Sequence, residues 1–316
     1  MKTPKSTDLR KRPFANLPAK EYEGKIGSMT LADGRKITWH AYGRKHGFPV
    51  FYFHGTPGSG VEAAVFARAA RKNHCRVIGI NRPGIGDSDF QPDRKVAQWP
   101  DDVRQVADHL GYEEFSVLGW SGGGPHALVT GAELKDRVRA VGLISPQGRY
   151  DPNKGKLDKS LSRVWMPALK VLADTPNLGR RLIGAAFRYS DQHRHRRADT
   201  SMYENIFARS LQNSQKNHTR GTIHDNDALL EDWGISMAQI AADLEKASPP
   251  IPVTIWQGLK DIYVKPTATE KMAAELPEST IIIDPFASHL EELLDHTDNV
   301  MRLMKRTREE AAKSDQ

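Results

Sequence analysis

Residues 115–125 read Phe-Ser-Val-Leu-Gly-Trp-Ser-Gly-Gly-Gly-Pro, and they predict a strand, a tight turn and a helix in that order. The stretch places Ser121 at the centre of a G-x-S-x-G pentapeptide, after an apolar run and before a run that favours a helix. This order is typical of a tight strand-to-helix turn, where small flanking residues are needed because the chain packs against itself. We expect Ser121 to be exposed at a sheet edge, above the positive end of the next helix. An ordinary glycine-rich turn would give the same pentapeptide, so its function depends on partners elsewhere in the chain.

Short apolar strands alternate with helical segments on both sides of this turn. Strands are predicted at 50–53, 76–81, 115–118 and 138–144, and helices between them at 60–72, 97–110 and 122–134. Such alternation indicates βαβ units with right-handed crossovers and a parallel sheet covered on both faces. Residues 25–41 alternate around a turn at 32–34 and predict an antiparallel pair at the start. The predicted fold class is therefore α/β.

The alternation stops after Ser145-Pro146 and resumes after Pro249-Pro250. Between these points, apolar residues fall at helical spacings without a convincing strand pattern. An insertion that follows a strand of an open α/β sheet can lie over the ligand-binding edge as a lid. Beyond it, strands are predicted at 251–256 and 280–283, and helices at 266–276 and 290–308. We predict a flexible basic tail at 1–25, a first core part at 26–146, a helical cap at 147–248 and a second core part at 249–316.

The composition argues against a membrane-spanning, a secreted and a nucleic-acid-binding protein. The 316 residues are 38% hydrophobic and carry a net charge of +7. No apolar run approaches the ~20 residues of a membrane span, and no apolar segment follows the basic N-terminus, so we expect a cytoplasmic protein. The single cysteine, Cys75, suits a reducing compartment. The basic residues are scattered without interleaved aromatic residues, which favours solvated surface over nucleic-acid binding.

Three further segments bring reactive groups to the ends of predicted strands. Residues 54–58 read His-Gly-Thr-Pro-Gly, a turn whose Thr56 N–H could pair with the Gly122 N–H as an oxyanion hole. Asp261 and His289 each follow one of the last two strands, so the chain order is serine, acid, histidine. In such a set the histidine takes the serine proton, and the carboxylate holds the imidazole in the correct tautomer. Without that function, Asp261 would cap a turn and His289 would begin the last helix.

Together these motifs resemble the α/β-hydrolase superfamily in its lid-bearing form. The resemblance spans about 25–308 and rests on the H-G-T-P-G turn, N-R-P-G-I-G-D-S at 81–88, G-W-S-G-G, G-L-K-D and the late histidine. It implies an α/β-hydrolase fold with an eight-stranded, mostly parallel sheet, an antiparallel second strand, helices on both faces and a helical lid after strand 6. It also implies a covalent acyl-enzyme on Ser121.

The resemblance also separates relatives within the superfamily. Epoxide hydrolases and haloalkane dehalogenases of this fold use an aspartate nucleophile, so Ser121 argues against both. Proline iminopeptidases usually carry a second glycine where this chain has Thr56, which favours an esterase over a peptidase. The chain departs from the family pattern at Asn81, where many members have Asp, and at Ser288, where Gly is frequent.

These features predict a serine hydrolase that cleaves a small or medium-sized carboxylic ester, or a lactone or thioester. Ser121 would be the nucleophile, His289 the general base and then acid, and Asp261 the group that orients His289. Substrate contacts are predicted for Trp120, Trp165 and Phe187. We expect a small-molecule substrate and no metal, organic cofactor or nucleic-acid partner, and the oligomeric state stays open.

Two other interpretations of the same residues stay open. The triad could instead serve C–C bond hydrolysis, acyl transfer or cyclisation in a biosynthetic pathway, which a lid that excludes water would favour. A ligand-binding protein of the same fold would not need the complete set of nucleophile, acid and base. The Arg- and His-rich run at 180–197 fits an anionic substrate or a solvated helix face.

Several polar residues near these motifs are expected to have structural roles. Arg82 and Asp87 are predicted to pair within their own turn. His54 is expected to support the oxyanion turn, His126 to lie in the helix after the pentapeptide, and His296 to lie inside the last helix.

Overall fold

The computed structural model of the protein describes residues 22, 24–148, 168, 170–175, 178–179, 181–182, 185, 201–216, 219–276 and 278–306. The predictions for Trp165, for Phe187 and for nearly all of the tail at 1–25 lie outside these residues. So does most of the basic run at 180–197. None of the helices in the described part is long and apolar enough to cross a membrane.

Eight strands form a single sheet: β1 Lys25–Thr30, β2 Lys36–Gly43, β3 Phe48–Phe53, β4 Cys75–Asn81, β5 Phe115–Trp120, β6 Val138–Ile144, β7 Val253–Gly258 and β8 Ser279–Asp284. Their order across the sheet is β1-β2-β4-β3-β5-β6-β7-β8. β2 runs antiparallel to β1 and β4, and the other neighbouring pairs are parallel. The predicted eight-stranded, mostly parallel sheet with an antiparallel second strand is confirmed.

The described helices follow the predicted order. A 3₁₀ segment at Gly60–Phe66 continues into α1 Ala67–Lys72, and one at Val96–Gln98 continues into α2 Trp99–Leu110; the others are α3 Gly123–Glu133, α4 Ser201–Ser214, α5 Thr219–Leu229, α6 Met237–Glu245, α7 Pro266–Ala274, α8 His289–Asp295 and α9 Thr297–Met304. Helices α4, α5 and α6 lie between β6 and β7 along the chain, where the helical insertion was predicted.

The predicted single helix at 290–308 is wrong, because α8 and α9 are separated at His296. This residue has φ −102° and ψ 7°, outside the α-helical region. Its Nε2 lies 3.2 Å from Asp284 Oδ2 and 3.4 Å from Glu292 Oε1. The chain therefore leaves the helix at the point where the imidazole contacts two carboxylates.

Apolar cores cover both faces of the sheet, as β3 illustrates. Phe51 and Phe53 belong to one core, Val50 and Tyr52 belong to the other, and all four side chains are fully buried. A strand that is buried on both faces has no polar positions to alternate with apolar ones. This explains why β3 reads as a continuous apolar run in the sequence.

The sheet brings the segments with candidate reactive groups to one edge. Phe53 at the end of β3 is paired with Gly119 of β5, and Gly258 at the end of β7 is paired with Asp284 at the end of β8. The carboxyl ends of parallel strands meet at the same edge, which is where open α/β sheets bind ligands. The candidate site lies there.

Candidate active site

Ser121 occupies a strained turn between β5 and α3. Its φ is +52°, in the left-handed region that non-glycine residues adopt only at a cost of about 1–2 kcal/mol. Its N–H donates to Ile144 O at 3.0 Å, and its carbonyl accepts from Gly124 N at 3.0 Å and Gln147 N at 2.9 Å. These three backbone hydrogen bonds hold the strained conformation, and the side chain of Ser121 stays partly exposed. The turn has the shape that the G-x-S-x-G pattern predicts for a nucleophile.

The glycine at the start of the pentapeptide is required by the close approach of the chain to itself. A Cβ added to Gly119 would lie only 2.3 Å from the carbonyl oxygen of Gly123. Any side chain here would push apart the strand that leads into the turn and the helix that leaves it.

Asp261 and His289 are directly hydrogen-bonded at the same edge. His289 Nδ1 and Asp261 Oδ2 are 2.6 Å apart. The other carboxylate oxygen, Oδ1, accepts the backbone N–H groups of Tyr263 at 2.9 Å and Val264 at 2.8 Å. These two contacts fix the carboxylate within its loop and leave Oδ2 directed at the imidazole.

The environment of Asp261 favours its charged form. Burial by itself would raise the pKa of the carboxyl, but the hydrogen bond with His289, the charge of its imidazolium form and the two backbone N–H groups lower it below its ordinary value. The acid therefore stays ionised at neutral pH and can stabilise a positive charge on His289.

Two aromatic side chains flank the imidazole of His289. The rings of His289 and Trp120 have centroids 5.2 Å apart, and those of His289 and Tyr263 are 5.5 Å apart. Trp120 directly precedes Ser121, so this contact places the imidazole beside the pentapeptide. Among the described residues, Ser121 Oγ and His289 form no hydrogen bond, and such bonds often form only when substrate is bound.

The turn at 54–58 packs directly against the pentapeptide. A Cβ added to Gly122 would lie 2.7 Å from Thr56 Oγ1, and one added to Gly55 would lie 3.5 Å from the Cβ of Ser121. Within the described residues, the backbone N–H groups of Thr56 and Gly122 donate no hydrogen bond. Both N–H groups are thus adjacent to Ser121 and available to a ligand.

A buried carboxyl group that the sequence analysis did not single out supports this turn. Glu62 is 2% exposed, and its Oε2 accepts the N–H of Gly55 at 3.0 Å. The hydroxyls of Tyr52 and Ser210 donate to its two oxygens at 3.2 Å and 3.1 Å. Burial raises the pKa of Glu62 to about 7. The available signal was a lone acid in the otherwise apolar run G-V-E-A-A-V-F.

The predicted pairing of Arg82 with Asp87 is wrong. Arg82 forms a bidentate ion pair with Asp225 of α5, with both N···O distances 2.7 Å. Asp87 instead pairs with Lys216 at 2.7 Å. The partner of Arg82 lies 143 positions further along the chain, in a segment without local motifs, so no sequence pattern indicates the pair.

His54 and His126 occupy the structural positions expected of them. Both side chains are fully buried. Burial and the nearby positive charge of Arg82 lower the pKa of His54 to about 3 and that of His126 well below its ordinary value. Both imidazoles are therefore neutral at physiological pH.

Apolar side chains surround the reactive groups. Phe207 of α4 packs edge-on against Trp120 with centroids 5.6 Å apart, and Leu229 Cδ1 of α5 lies 2.8 Å from the Cβ position of Gly122. A separate cavity of about 490 Å³ is lined by Gln147, Gly148, Met237, Tyr263, Val264, Lys265, Thr267, Ala268, Lys271, Met272 and Glu275. Gln147 and Tyr263 contact Ser121 and His289, respectively, so the cavity borders the candidate site.

One group of described residues has the composition of a metal site. Ligand atoms of Asp284, Glu292 and His296 lie within 4.8 Å of one another. His296 Nε2 already contacts both carboxylates, so these residues form a compact polar cluster between β8 and α8.

Comparison with solved structures supports the fold. An esterase from Thermogutta terrifontis superposes with a TM-score of 0.64 at 19% identity, and the match covers 92% of this chain and 98% of that one. An enol-lactonase from Burkholderia xenovorans has a TM-score of 0.62 at 18% identity, with coverage of 88% and 97%.

Sequence comparison identifies the family. A 2-hydroxymuconate semialdehyde hydrolase of Pseudomonas putida is 30% identical over 133 residues, which are 41% of this chain and 47% of that protein. The acetyltransferase component of the acetoin cleaving system of Cupriavidus necator is 27% identical over 218 residues, 66% of this chain and 58% of that protein. The chain thus spans about half the length of these curated relatives. The family model described as alpha/beta hydrolase fold matches residues 49–290, so the chain belongs to that family.

Proposed function

We propose that the protein is a serine hydrolase that cleaves a small or medium-sized carboxylic ester through a covalent acyl-enzyme on Ser121. The observation that carries this proposal is the 2.6 Å hydrogen bond between His289 and Asp261, beside a serine held at φ +52°. A carboxylate that orients a histidine next to a strained, partly exposed serine is the arrangement required for nucleophilic catalysis.

The first half of the reaction forms the acyl-enzyme. Ser121 Oγ attacks the ester carbonyl while His289 Nε2 takes its proton, and ionised Asp261 stabilises the resulting imidazolium. The carbonyl oxygen becomes an oxyanion that accepts the N–H groups of Thr56 and Gly122. When the tetrahedral intermediate collapses, the C–O bond breaks and His289 returns the proton to the departing alcohol.

The second half releases the acid. A water molecule takes the place of the alcohol, and His289 removes its proton as it attacks the acyl carbon. The same two N–H groups stabilise the second oxyanion. Collapse of this intermediate breaks the bond to Ser121 Oγ, which regains its proton from His289.

The substrate class follows from the walls of the site. Trp120, Phe207 and Leu229 place apolar surface beside the pentapeptide. The cavity of about 490 Å³ that borders the site at Gln147 and Tyr263 falls in the usual range for small-molecule sites. We infer an acyl group of small to medium size. Lactones and thioesters present the same carbonyl and belong to the same proposal.

The remaining features of the proposal concern the whole protein. It includes a helical cap at 147–248 between core parts at 26–146 and 249–316, substrate contacts by Trp120, Trp165 and Phe187, and a cytoplasmic location. It requires no metal or organic cofactor, because the serine, the histidine and the two N–H groups supply every step above.

A second candidate uses the same residues for a different reaction. Two of the related proteins are named 2-hydroxymuconate semialdehyde hydrolase, at 30% and 31% identity over less than half of this chain. This favours hydrolysis of another carbonyl compound, including C–C bond hydrolysis, as the alternative to ester cleavage. Acyl transfer and cyclisation would leave products that lack an added water, and ester and C–C bond hydrolysis break different bonds of the substrate, so the product masses distinguish these reactions.

A series of p-nitrophenyl esters of increasing acyl length tests the proposal. The wild-type protein should hydrolyse at least one of them, and Ser121→Ala should abolish turnover. Ser145→Ala is a matched control, because Ser145 is also a non-glycine residue at positive φ, +41°, directly after a strand of the same sheet. Full turnover by Ser121→Ala would refute the proposal.

A further inference from the structure

A buried ion-pair cluster links a helix of the cap segment to the turn beside Ser121. Asp225 of α5, Arg82 after β4 and Arg94 have relative exposures of 1%, 0% and 4%. Arg82 Nε donates to Asp225 Oδ1 and Nη2 donates to Oδ2, both at 2.7 Å, and Arg94 Nη2 also donates to Oδ1. The catalytic steps proposed above make no use of these three residues.

The cluster holds the turn at 54–58 by two separate contacts. Arg82 Nη1 donates to the carbonyl oxygen of His54 at 2.7 Å. The hydroxyl of Thr56 donates to Asp225 Oδ2 at 2.8 Å and accepts from Arg82 Nη2 at 3.2 Å. These hydrogen bonds hold the carbonyl group of His54 and the side chain of Thr56. The peptide group that carries the Thr56 N–H lies between these two points.

The Thr56 hydroxyl is fully engaged in these contacts. A hydroxyl has one proton to donate, and that proton is directed at Asp225. The hydroxyl therefore cannot also donate to an oxyanion while Asp225 is in place. Only the backbone N–H of Thr56 remains for that purpose.

Helix α5 approaches the core closely on both sides of Asp225. A Cβ added to Gly221 would lie 2.0 Å from Gly84 O, so the two backbones are in contact there. About one helical turn beyond Asp225, the side chain of Leu229 packs against Gly122. The carboxylate is therefore carried by a helix whose position is set by the core at two points.

We propose that Asp225 is a positioning residue for the oxyanion hole, acting through the Thr56 hydroxyl and Arg82 to set the direction of the Thr56 N–H. The inference rests on the proposed function, since it needs an oxyanion beside Ser121. It makes the oxyanion hole dependent on the docking of α5, so the cap segment contributes to the chemical step as well as to substrate contacts.

The environment of Asp225 is consistent with a permanently charged anchor. Burial raises its pKa, but the positive charges of Arg82 and Arg94 and their hydrogen bonds outweigh burial and hold the pKa well below its ordinary value. A buried pair of this kind contributes little net stability compared with apolar packing, but removing one partner leaves an uncompensated charge. Asp225→Asn keeps the shape of the side chain and removes its charge.

The test compares Asp225→Asn, Thr56→Val and the double variant on a p-nitrophenyl ester that the wild type hydrolyses. Loss of one oxyanion-hole donor typically costs about 10²–10³ in kcat, so a misdirected N–H should lower kcat by about 10- to 100-fold with KM changed less than about threefold. Because both residues act through one contact, the kcat of the double variant should lie within about threefold of the kcat of the less active single variant.

A second readout reports on the oxyanion alone. A trifluoromethyl ketone with the same acyl chain forms a tetrahedral adduct with a nucleophilic serine, whereas the matching methyl ketone binds mainly as a carbonyl. The affinity for the trifluoromethyl ketone should fall in parallel with kcat, and the affinity for the methyl ketone should stay within about threefold of wild type. A merely structural role of Asp225 would not separate the two ketones.

Asp243→Asn is the matched control, since it breaks another ion pair between this segment and the core. Asp243 of α6 pairs with Lys135 at 3.1 Å, and neither is among the residues that contact the turn at 54–58. This variant should keep wild-type kcat and both ketone affinities. Comparing Asp225→Asn with Asp243→Asn distinguishes the loss of the contact with the turn at 54–58 from a general loss of helix packing.

Several results would overturn the inference. It fails if Asp225→Asn or Thr56→Val keeps kcat within about threefold of wild type, or if their losses multiply in the double variant. If Asp225→Asn does not fold, Thr56→Val alone decides, because it removes the hydroxyl and keeps the backbone N–H. Inactive Ser121→Ala together with fully active Thr56→Val would refute this inference and leave the proposed function standing.

Discussion

Replacing Glu62 with Gln should make the stability of the protein less dependent on pH. The carboxyl is 2% exposed and accepts hydrogen bonds from Gly55, Tyr52 and Ser210. A glutamine can keep the packing, because its oxygen accepts from Gly55 and Tyr52 and its amide group faces Ser210. The Ser59 hydroxyl donates to Ser210 Oγ at 3.3 Å in the wild type, and in the variant this hydrogen bond can reverse so that Ser210 donates to Ser59 Oγ.

The sign and size of the effect follow from the raised pKa. Burial raises the pKa of Glu62 from 4.5 to about 7, so between these pH values the folded protein binds a proton that the unfolded chain has released. The free energy of unfolding therefore falls as pH rises through this window and levels off above pH 7. At about 1.36 kcal/mol per pH unit, the fully developed difference is about 3 kcal/mol. Gln cannot ionise and avoids this loss.

Urea unfolding of both proteins, followed by tryptophan fluorescence between pH 5 and pH 8, measures the effect. The two free energies of unfolding should be similar near pH 5, and Glu62→Gln should be the more stable protein at pH 8 by up to about 3 kcal/mol. Glu270→Gln, at an exposed position of α7, is the control. Its free energy of unfolding should differ from that of the wild type by the same amount at every pH. If the difference between Glu62→Gln and the wild type does not change with pH, Glu62 does not titrate with a raised pKa in the folded protein.

Three other predictions follow from individual contacts. In Gly122→Ala the new methyl group would lie 2.7 Å from Thr56 Oγ1, so the turn must shift and kcat should fall by about 10²-fold or more, while circular dichroism shows an intact fold. Asp261→Asn cannot hold the His289 tautomer or stabilise its charge, so kcat should fall by roughly 10³–10⁴; a loss below tenfold in steady-state kinetics would count against the triad. The Cys75 thiol is fully buried and burial raises its pKa to about 11, so iodoacetamide at pH 8 should alkylate the urea-unfolded chain and leave the folded protein unmodified, as judged by intact mass.

The fold was predictable because local patterns determine most of it. Strands such as β3 are buried on both faces and appear in the sequence as apolar runs between turns. Strand ends were less accurate. β5 continues through Gly119 and Trp120 because these residues pair with Leu143 and Ile144, a long-range contact that outweighs the low strand preference of glycine.

The residues at strand ends were also predictable, because a parallel sheet brings their loops to one edge. Asp261 and His289 are 28 positions apart, and the sequence required only that both follow strands of the same sheet. The contacts around them were not predictable in this way. Asp225 lies inside a helix with no motif, and its pairing with Arg82 depends on how α5 packs on the core. Glu62 is a lone acid in an apolar run, but its contact with the turn at 54–58 becomes visible only in the structure.

Covalent labelling with a fluorophosphonate probe shows whether Ser121 is the nucleophile. Trypsin releases Ser121 in the peptide 105–135, which also contains Ser116. We expect one probe adduct per chain, located on Ser121 by tandem mass spectrometry, and no adduct on the Ser121→Ala protein. An unlabelled wild-type protein, or an adduct on Ser116 or any other residue, would rule out Ser121 as the nucleophile.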